Sequence, residues 1–204
     1  VLITGATGGL GKEFCYQLAN MGANLYITSK TESKLLSLQN KLSSKGIKCV
    51  AKSADFTLGI DNLDDCFDNV DILINCAGVY LEKSLDNLSD NDYEEIFDVN
   101  LKTPFKLIKE VSINMKKNRW GRIVNIGSNS SYIGKENKSL YCSTKHAILG
   151  LSRAVNQELK SYNIKTFCFS PGGLPKELVN FIIHTIQYDD NMMLDEVKVN
   201  RTGV

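Results

Sequence analysis

The chain has 204 residues, 43% hydrophobic and 23% charged, enough apolar material for one globular domain with a full core. Its 24 Lys and Arg balance 23 Asp and Glu, which gives no electrostatic reason to expect nucleic acid as a partner. No apolar stretch reaches the roughly 20 residues of a membrane span, and two histidines with six cysteines lacking C-x-x-C spacing argue against zinc and disulfides and for reduced core thiols in a cytoplasmic protein. No basic-then-apolar leader is recognisable, although the chain begins at Val1 without Met.

Short apolar runs at 1–4, 24–28, 48–54, 71–75, 122–126 and 165–169 alternate with amphipathic helical patterns at 12–21, 32–45, 60–67, 91–118 and 139–162. Strand–helix alternation of this kind predicts right-handed crossovers and an α/β fold: a doubly wound parallel β-sheet with helices on both faces, a single-domain Rossmann arrangement over 1–204. Ligands of such sheets bind beyond the carboxyl ends of the strands. The motifs below all fall there or on the helix that follows.

The first strand runs into Thr4-Gly5-Ala6-Thr7-Gly8-Gly9-Leu10-Gly11. Gly5 permits the turn, Gly9 lets backbone approach a pyrophosphate, and Gly11 lets the helix pack closely. The helix N-terminus offers free N–H groups to phosphates. The second strand ends in Ser29-Lys30, where an acidic residue would favour a free ribose 2′-OH. A lysine with hydroxyls from Thr31 and Ser33 suits a 2′-phosphate and predicts NADP(H) over NAD(H); a solvated loop lysine is the plain alternative. Asp55, closing the third strand beside Phe56, is positioned either to accept from the adenine amino group or to cap its loop. Asn75-Cys76-Ala77-Gly78 ends the fourth with small residues, as backbone approach to a cofactor, or a simple turn, requires.

In the middle of the chain Tyr141 opens Y-x-x-x-K with Lys145, one helical turn apart on the same face. An ammonium there stabilises a phenolate and brings a pKa of about 10 toward working pH. The strand 122–126 delivers Ser128 to the sheet's carboxyl edge, thirteen positions before Tyr141, where its hydroxyl can meet an oxygen that gains charge.

These motifs, in this order over about residues 1–173, resemble the short-chain dehydrogenase/reductase family in its compact single-domain branch. The resemblance implies hydride transfer between a nicotinamide and a small carbonyl/alcohol substrate, with Tyr141 as the proton donor, Lys145 also on the nicotinamide ribose, and Ser128 positioning substrate. It places a catalytic asparagine at Asn100, which would kink a helix and hold a water linking Lys145 to solvent. The cofactor contacts implied are Gly5, Thr7, Gly9, Leu10, Gly11, Ser29, Lys30, Asp55, Phe56, Asn75, Ala77, Gly78, Tyr141, Lys145, Pro171 and Gly172. Gly5, Gly8 and Gly11 also spell the glycine spacing of the extended, sugar-nucleotide-modifying branch, but the Ser128–Tyr141 spacing and the length fit the compact one better.

The pattern breaks at the end. Past Pro171-Gly172 the family's usual threonine is missing, with Lys176 near its place, and about thirty residues follow where the family continues through a substrate lid and a last strand. A lid shortened to one helix within 174–189, and a last strand shortened or absent, are expected. Helices 91–118 and 139–162, with Phe97, Leu101, Phe105, Ile148, Leu151 and Val155, are free to pair a homodimer or are ordinary core. A catalytically weak NADP-binding sensor or scaffold built on the same fold is the alternative function. Neither nucleic acid, membrane nor metal is expected.

Overall fold

The computed structural model of the protein describes residues 1–172, 176–188 and 196–199. Seven parallel strands, β1 (Leu2–Thr4), β2 (Leu25–Ser29), β3 (Cys49–Ser53), β4 (Ile72–Asn75), β5 (Gly121–Ile126), β6 (Ile164–Pro171) and β7 (Glu196–Val199), form one sheet in the order β3-β2-β1-β4-β5-β6-β7. The order reverses between β1 and β4, so a crevice opens at their carboxyl ends.

The register explains why these runs are strands. Ile27, Ile3, Ile74, Val124 and Phe167 are cross-strand partners forming one row on one face. That row packs with Phe14 and Leu18 of α1 (Gly9–Asn20), Leu35, Leu38 and Leu42 of α2 (Glu32–Ser43), and Leu178, Val179 and Ile182 of the last helix, at Lys176–Gln187. One residue earlier, Leu2, Leu73 and Ile123 form the row on the opposite face. They pack with Leu107, Val111, Met115, Val155 and Leu159. Slipping any strand by one residue would exchange the two cores.

The predicted helix at 91–118 is three pieces. Helix α3 (Asp90–Phe97) starts with a reciprocal Ser89–Asp92 cap, a five-residue π turn covers Asp98–Lys102, and α4 (Thr103–Asn118) continues. The expected helix at 60–67 is a 3₁₀ segment, Asp61–Asn69. Six of its nine residues are Asp or Asn, whose side chains compete with the backbone for hydrogen bonds. Helix α5 (Ser139–Leu159) carries the Tyr-x-x-x-Lys motif, and α6 (Lys176–Gln187) falls within the expected lid helix.

The last strand, expected to be shortened or absent, is present as four residues beside β6; the rest of the expected Val-x-Val tail, 200–204, lies outside the described residues. Arg122, fully buried, donates from Nε to the Ile186 carbonyl at 3.2 Å and from a guanidinium nitrogen to the Asn163 carbonyl at 3.1 Å, tying α6 to the sheet. All six cysteines are free thiols. Among the described residues there is no cluster of three metal-ligating side chains, and no helix is long and apolar enough to cross a membrane.

Candidate active site

The glycine-rich turn is pinned from two sides. Gly5 has φ +63°, and a Cβ there would lie 2.8 Å from the Ala77 backbone, so the β1–α1 turn and the segment after β4 touch only because this residue has no side chain. A Cβ on Gly11 would come within 2.3 Å of the Gly5 carbonyl. Thr4, which sequence reasoning passed over, accepts at Oγ1 from the amides of Cys76 (3.1 Å) and Ala77 (3.0 Å) and closes the same contact. Helix α1 starts without a side-chain cap and without an acidic residue in its first turn, leaving amides to meet an anion.

The residues here fit a dinucleotide. Besides the uncapped helix start, the Ser29 hydroxyl at the end of β2 is buried without a hydrogen-bond partner, an unmet polar group at the place expected for adenosine. Lys30 and Asp55, which sequence assigned separate tasks, hold each other: Lys30 Nζ lies 2.8 Å from Asp55 Oδ2. The other carboxylate oxygen accepts from Thr57 at its hydroxyl (2.8 Å) and amide (3.2 Å), so Asp55 is also the loop cap. These hydrogen bonds, Lys30's first, lower the Asp55 carboxyl, and Lys30 is raised in return. Phe56 belongs to the core, packed with Ile60 and Leu63, because a benzyl side chain buries better than it binds polar adenosine. Asn75 likewise turns its amide inward, donating to Asn125 Oδ1 at 2.8 Å. For Phe56 only backbone remains to meet a cofactor, whereas Asn75 Oδ1 is buried without a partner.

The catalytic candidates converge at the carboxyl ends of β4 and β5. Tyr141 and Lys145 stand in the first two turns of α5, and Ser128 follows β5. Ser128 and Tyr141 line the same cavity wall, and the Ser128 hydroxyl accepts from the Ser130 amide at 3.2 Å. Burial raises the Tyr141 phenol, and the neighbouring Ser128 hydroxyl opposes the rise. This departs from the expected lowering by Lys145, whose ammonium lies 5.7 Å from the centre of the Tyr141 ring and donates to the Ile126 carbonyl at 2.8 Å. Lys145 is itself lowered by burial.

Asn100 sits in the π turn. Its amide accepts from the Val79 N–H (2.7 Å) and donates to the Val79 carbonyl (2.9 Å) and to Thr144 Oγ1 (3.2 Å). The turn thereby fixes the loop after β4, which lays the Tyr80 ring edge-on to Tyr141, centroids 5.1 Å apart. Tyr80 and Thr144 carried no motif to reveal them.

Two cavities meet at Gly127 and Tyr141. One of about 180 Å³ is lined by Leu10, Ala77, Gly78, Tyr80 and Lys145 among others, and one of about 250 Å³ by Ser128, Asn129, Lys135, Pro171 and Gly172. The expected contacts Leu10, Ala77, Gly78, Pro171 and Gly172 thus border these two cavities, and Gly9 opens helix α1. Thr7 borders a further cavity between α1 and α2 with Lys12 and Lys34. Burial pushes the Cys76 thiol up to about 12, which leaves it no nucleophile at neutral pH.

A glycine-lined dinucleotide cradle beside a Ser–Tyr pair and a buried lysine is the equipment of a nicotinamide-dependent oxidoreductase. The family model for short chain dehydrogenases matches residues 1–185, and the chain belongs to this family of NAD(P)-dependent oxidoreductases. The 3-oxoacyl-[acyl-carrier-protein] reductase FabG of Staphylococcus epidermidis is 27% identical over 209 residues, spanning 99% of this chain and 84% of that protein. The (2S)-[(R)-hydroxy(phenyl)methyl]succinyl-CoA dehydrogenase subunit BbsD of Thauera aromatica is 31% identical over 195 residues, 93% of this chain and 75% of that one. In fold the chain is similar to a metagenomic short-chain oxidoreductase crystallised with NADP, with a TM-score of 0.91 at 22% identity, covering 100% of this chain and 97% of the other.

Proposed function

We propose that the protein is an NADP(H)-dependent carbonyl reductase in which Tyr141 is the proton donor. The observation that carries this reading is that Ser128 and Tyr141 share one cavity wall, with Lys145 one turn further along the same helix. A carbonyl oxygen seated between the two hydroxyls receives hydrogen bonds that strengthen as it becomes an alkoxide. When bound, the cofactor supplies the hydride to the carbonyl carbon. Tyr141 passes its proton to the oxygen, so carbon and oxygen together gain one hydride and one proton. Burial keeps the Tyr141 phenol protonated through neutral pH, which suits reduction better than alcohol oxidation. Lys145 contributes a fixed positive charge on the same helix face. Asn100 acts as a positioning residue through Val79 and Thr144. Relatives named as 3-oxoacyl reductases make 3-oxo compounds the first substrates to try.

The NADP(H) preference rests on Lys30, 70% exposed beside the uncapped turn and held there by Asp55. A 2′-phosphate arriving at this ammonium competes with one carboxylate, so the preference is a modest one. Titration of nicotinamide fluorescence with NADPH and NADH tests it. NADPH is expected to bind about tenfold tighter, with the difference lost in Lys30→Ala. In the same protein Tyr141→Phe is expected to cut turnover by about 10² to 10⁴ while NADPH still binds. Equal affinities would remove the NADP assignment, and an active Tyr141→Phe would remove the proton donor.

A homodimer through α4 and α5 belongs to the same proposal. Of the six apolar residues in question, Ile148 and Val155 are core, whereas Phe105 is 52% exposed.

A further inference from the structure

The larger of the two active-site cavities is bordered by an exposed lysine that the reaction does not use. Lys135 lines this space of about 250 Å³ together with Ser128, Asn129, Tyr141 and Gly172. Its ammonium has no ion-pair or hydrogen-bond partner among the described residues, unlike the other lysines of the two loops that frame the site. Lys138 is 3.1 Å from Glu82, and Lys83 is 2.7 Å from Asp92. Glu136, next in the chain, is exposed and is not part of the cavity wall.

The loop carrying Lys135 is held in place. The Asn137 carbonyl accepts from the Lys83 amide at 2.7 Å, Asn137 takes a left-handed turn at φ +58°, and the Lys135 carbonyl accepts from the Lys138 amide at 3.2 Å. A second unmet group lies in the same wall: Asn129 Oδ1 is buried without a partner, while its Nδ2 packs so close to Gly172 that a Cβ there would lie 2.6 Å away. The cavity wall therefore carries hydroxyls at one side, an amide oxygen, and one exposed lysine without a partner among the described residues.

We infer that the substrate carries an anionic group, a carboxylate or a phosphate, which Lys135 receives while the carbonyl lies between Ser128 and Tyr141. This rests on the reading of the Ser128–Tyr141 pair as the reduction site. A neutral ketone would leave the exposed Lys135 ammonium to water, whereas an anion gains a charge-assisted hydrogen bond from it. Asn129 Oδ1 is an acceptor and meets a donor elsewhere on the substrate, not the anionic group. Lys135 thus acts as a specificity residue.

The test compares matched pairs with the intact chain and NADPH: acetoacetate against methyl acetoacetate, and 2-oxopropylphosphonate against its dimethyl ester. Binding of all four to the protein saturated with NADP⁺ is measured in parallel by calorimetry, so the comparison does not depend on turnover. The anion of at least one pair is expected to be favoured about tenfold over its ester, the size of a partly exposed charge-assisted contact. The pair that shows the preference tells carboxylate from phosphate. Lys135→Gln should erase that ratio and Lys135→Arg should keep it. Anions and esters treated alike, or a preference surviving in Lys135→Gln, would overturn the inference while leaving the reductase reading intact. Failure to bind NADPH at all would overturn that reading, and the inference with it.

Discussion

Lys145, proposed to serve the reaction, is buried at a cost to stability. It is 8% exposed, its ammonium has one hydrogen bond to the Ile126 carbonyl, and burial lowers its pKa. Since the folded value lies below the unfolded one, near 10.5, the unfolded chain binds the proton more tightly. The cost of burying the charge is therefore largest at pH below the folded value. Stability rises as pH climbs from the folded value toward the unfolded one. Replacing Lys145 by Met removes the buried charge, gives up one hydrogen bond, and is expected to raise Tm at pH 7 by a few degrees while abolishing turnover. Thermal melts at several pH values check this: the gain should shrink as pH rises toward 10. A variant less stable than the parent at pH 7 would mean that the Ile126 bond outweighs desolvation.

At the scale of elements, the π turn at Asp98–Lys102 sets the shape of the site. Asn100 is 2% exposed and bridges Val79, twenty-one residues earlier, to Thr144 on α5. Asn100→Ala leaves the half-buried Val79 N–H and C=O without partners, at a cost of about 1–3 kcal/mol. It also frees the loop that lays Tyr80 on Tyr141, so turnover should fall further than stability alone explains. Urea melts and kcat on a 3-oxo substrate, measured on the same preparation, separate the two effects; unchanged kcat would show that Tyr80 is placed by its own loop. The sequence made the strands legible, because rows such as Ile3–Ile74–Val124 are short apolar runs between turn residues. The glycine turn and the Tyr141–Lys145 spacing were legible because they are local. The π turn was legible only through the family resemblance, which places a kink at Asn100; by periodicity alone 91–118 reads as ordinary amphipathic helix. The pairing of Lys30 with Asp55, twenty-five residues apart, was not legible, nor was the place of Lys135, whose neighbours in the cavity come from three separate elements.

For the whole molecule, the open question is what covers the outer side of α4. Phe105 and Ile113, two turns apart on this helix, are 52% and 48% exposed, and Leu151 on α5 is half-buried. Helices of 16 and 21 residues run about 24 and 31 Å at 1.5 Å per residue, long enough for an isologous face around a two-fold axis. Helix α5 carries Tyr141 and Lys145 at one end, so a partner seated on its flank would stiffen the helix that positions the proposed proton donor. Light scattering after gel filtration should give a mass twice the chain's 22.7 kDa. Phe105→Glu, which sets a charge into the apolar seam far from the cavity, should halve that mass. A parent protein that is already monomeric, or a variant that stays dimeric, would place the assembly elsewhere. If the monomeric variant binds NADPH as the parent does but turns over more slowly, the dimer contributes by holding α5, and the geometry of Tyr141 is a property of the assembly as well as of the chain.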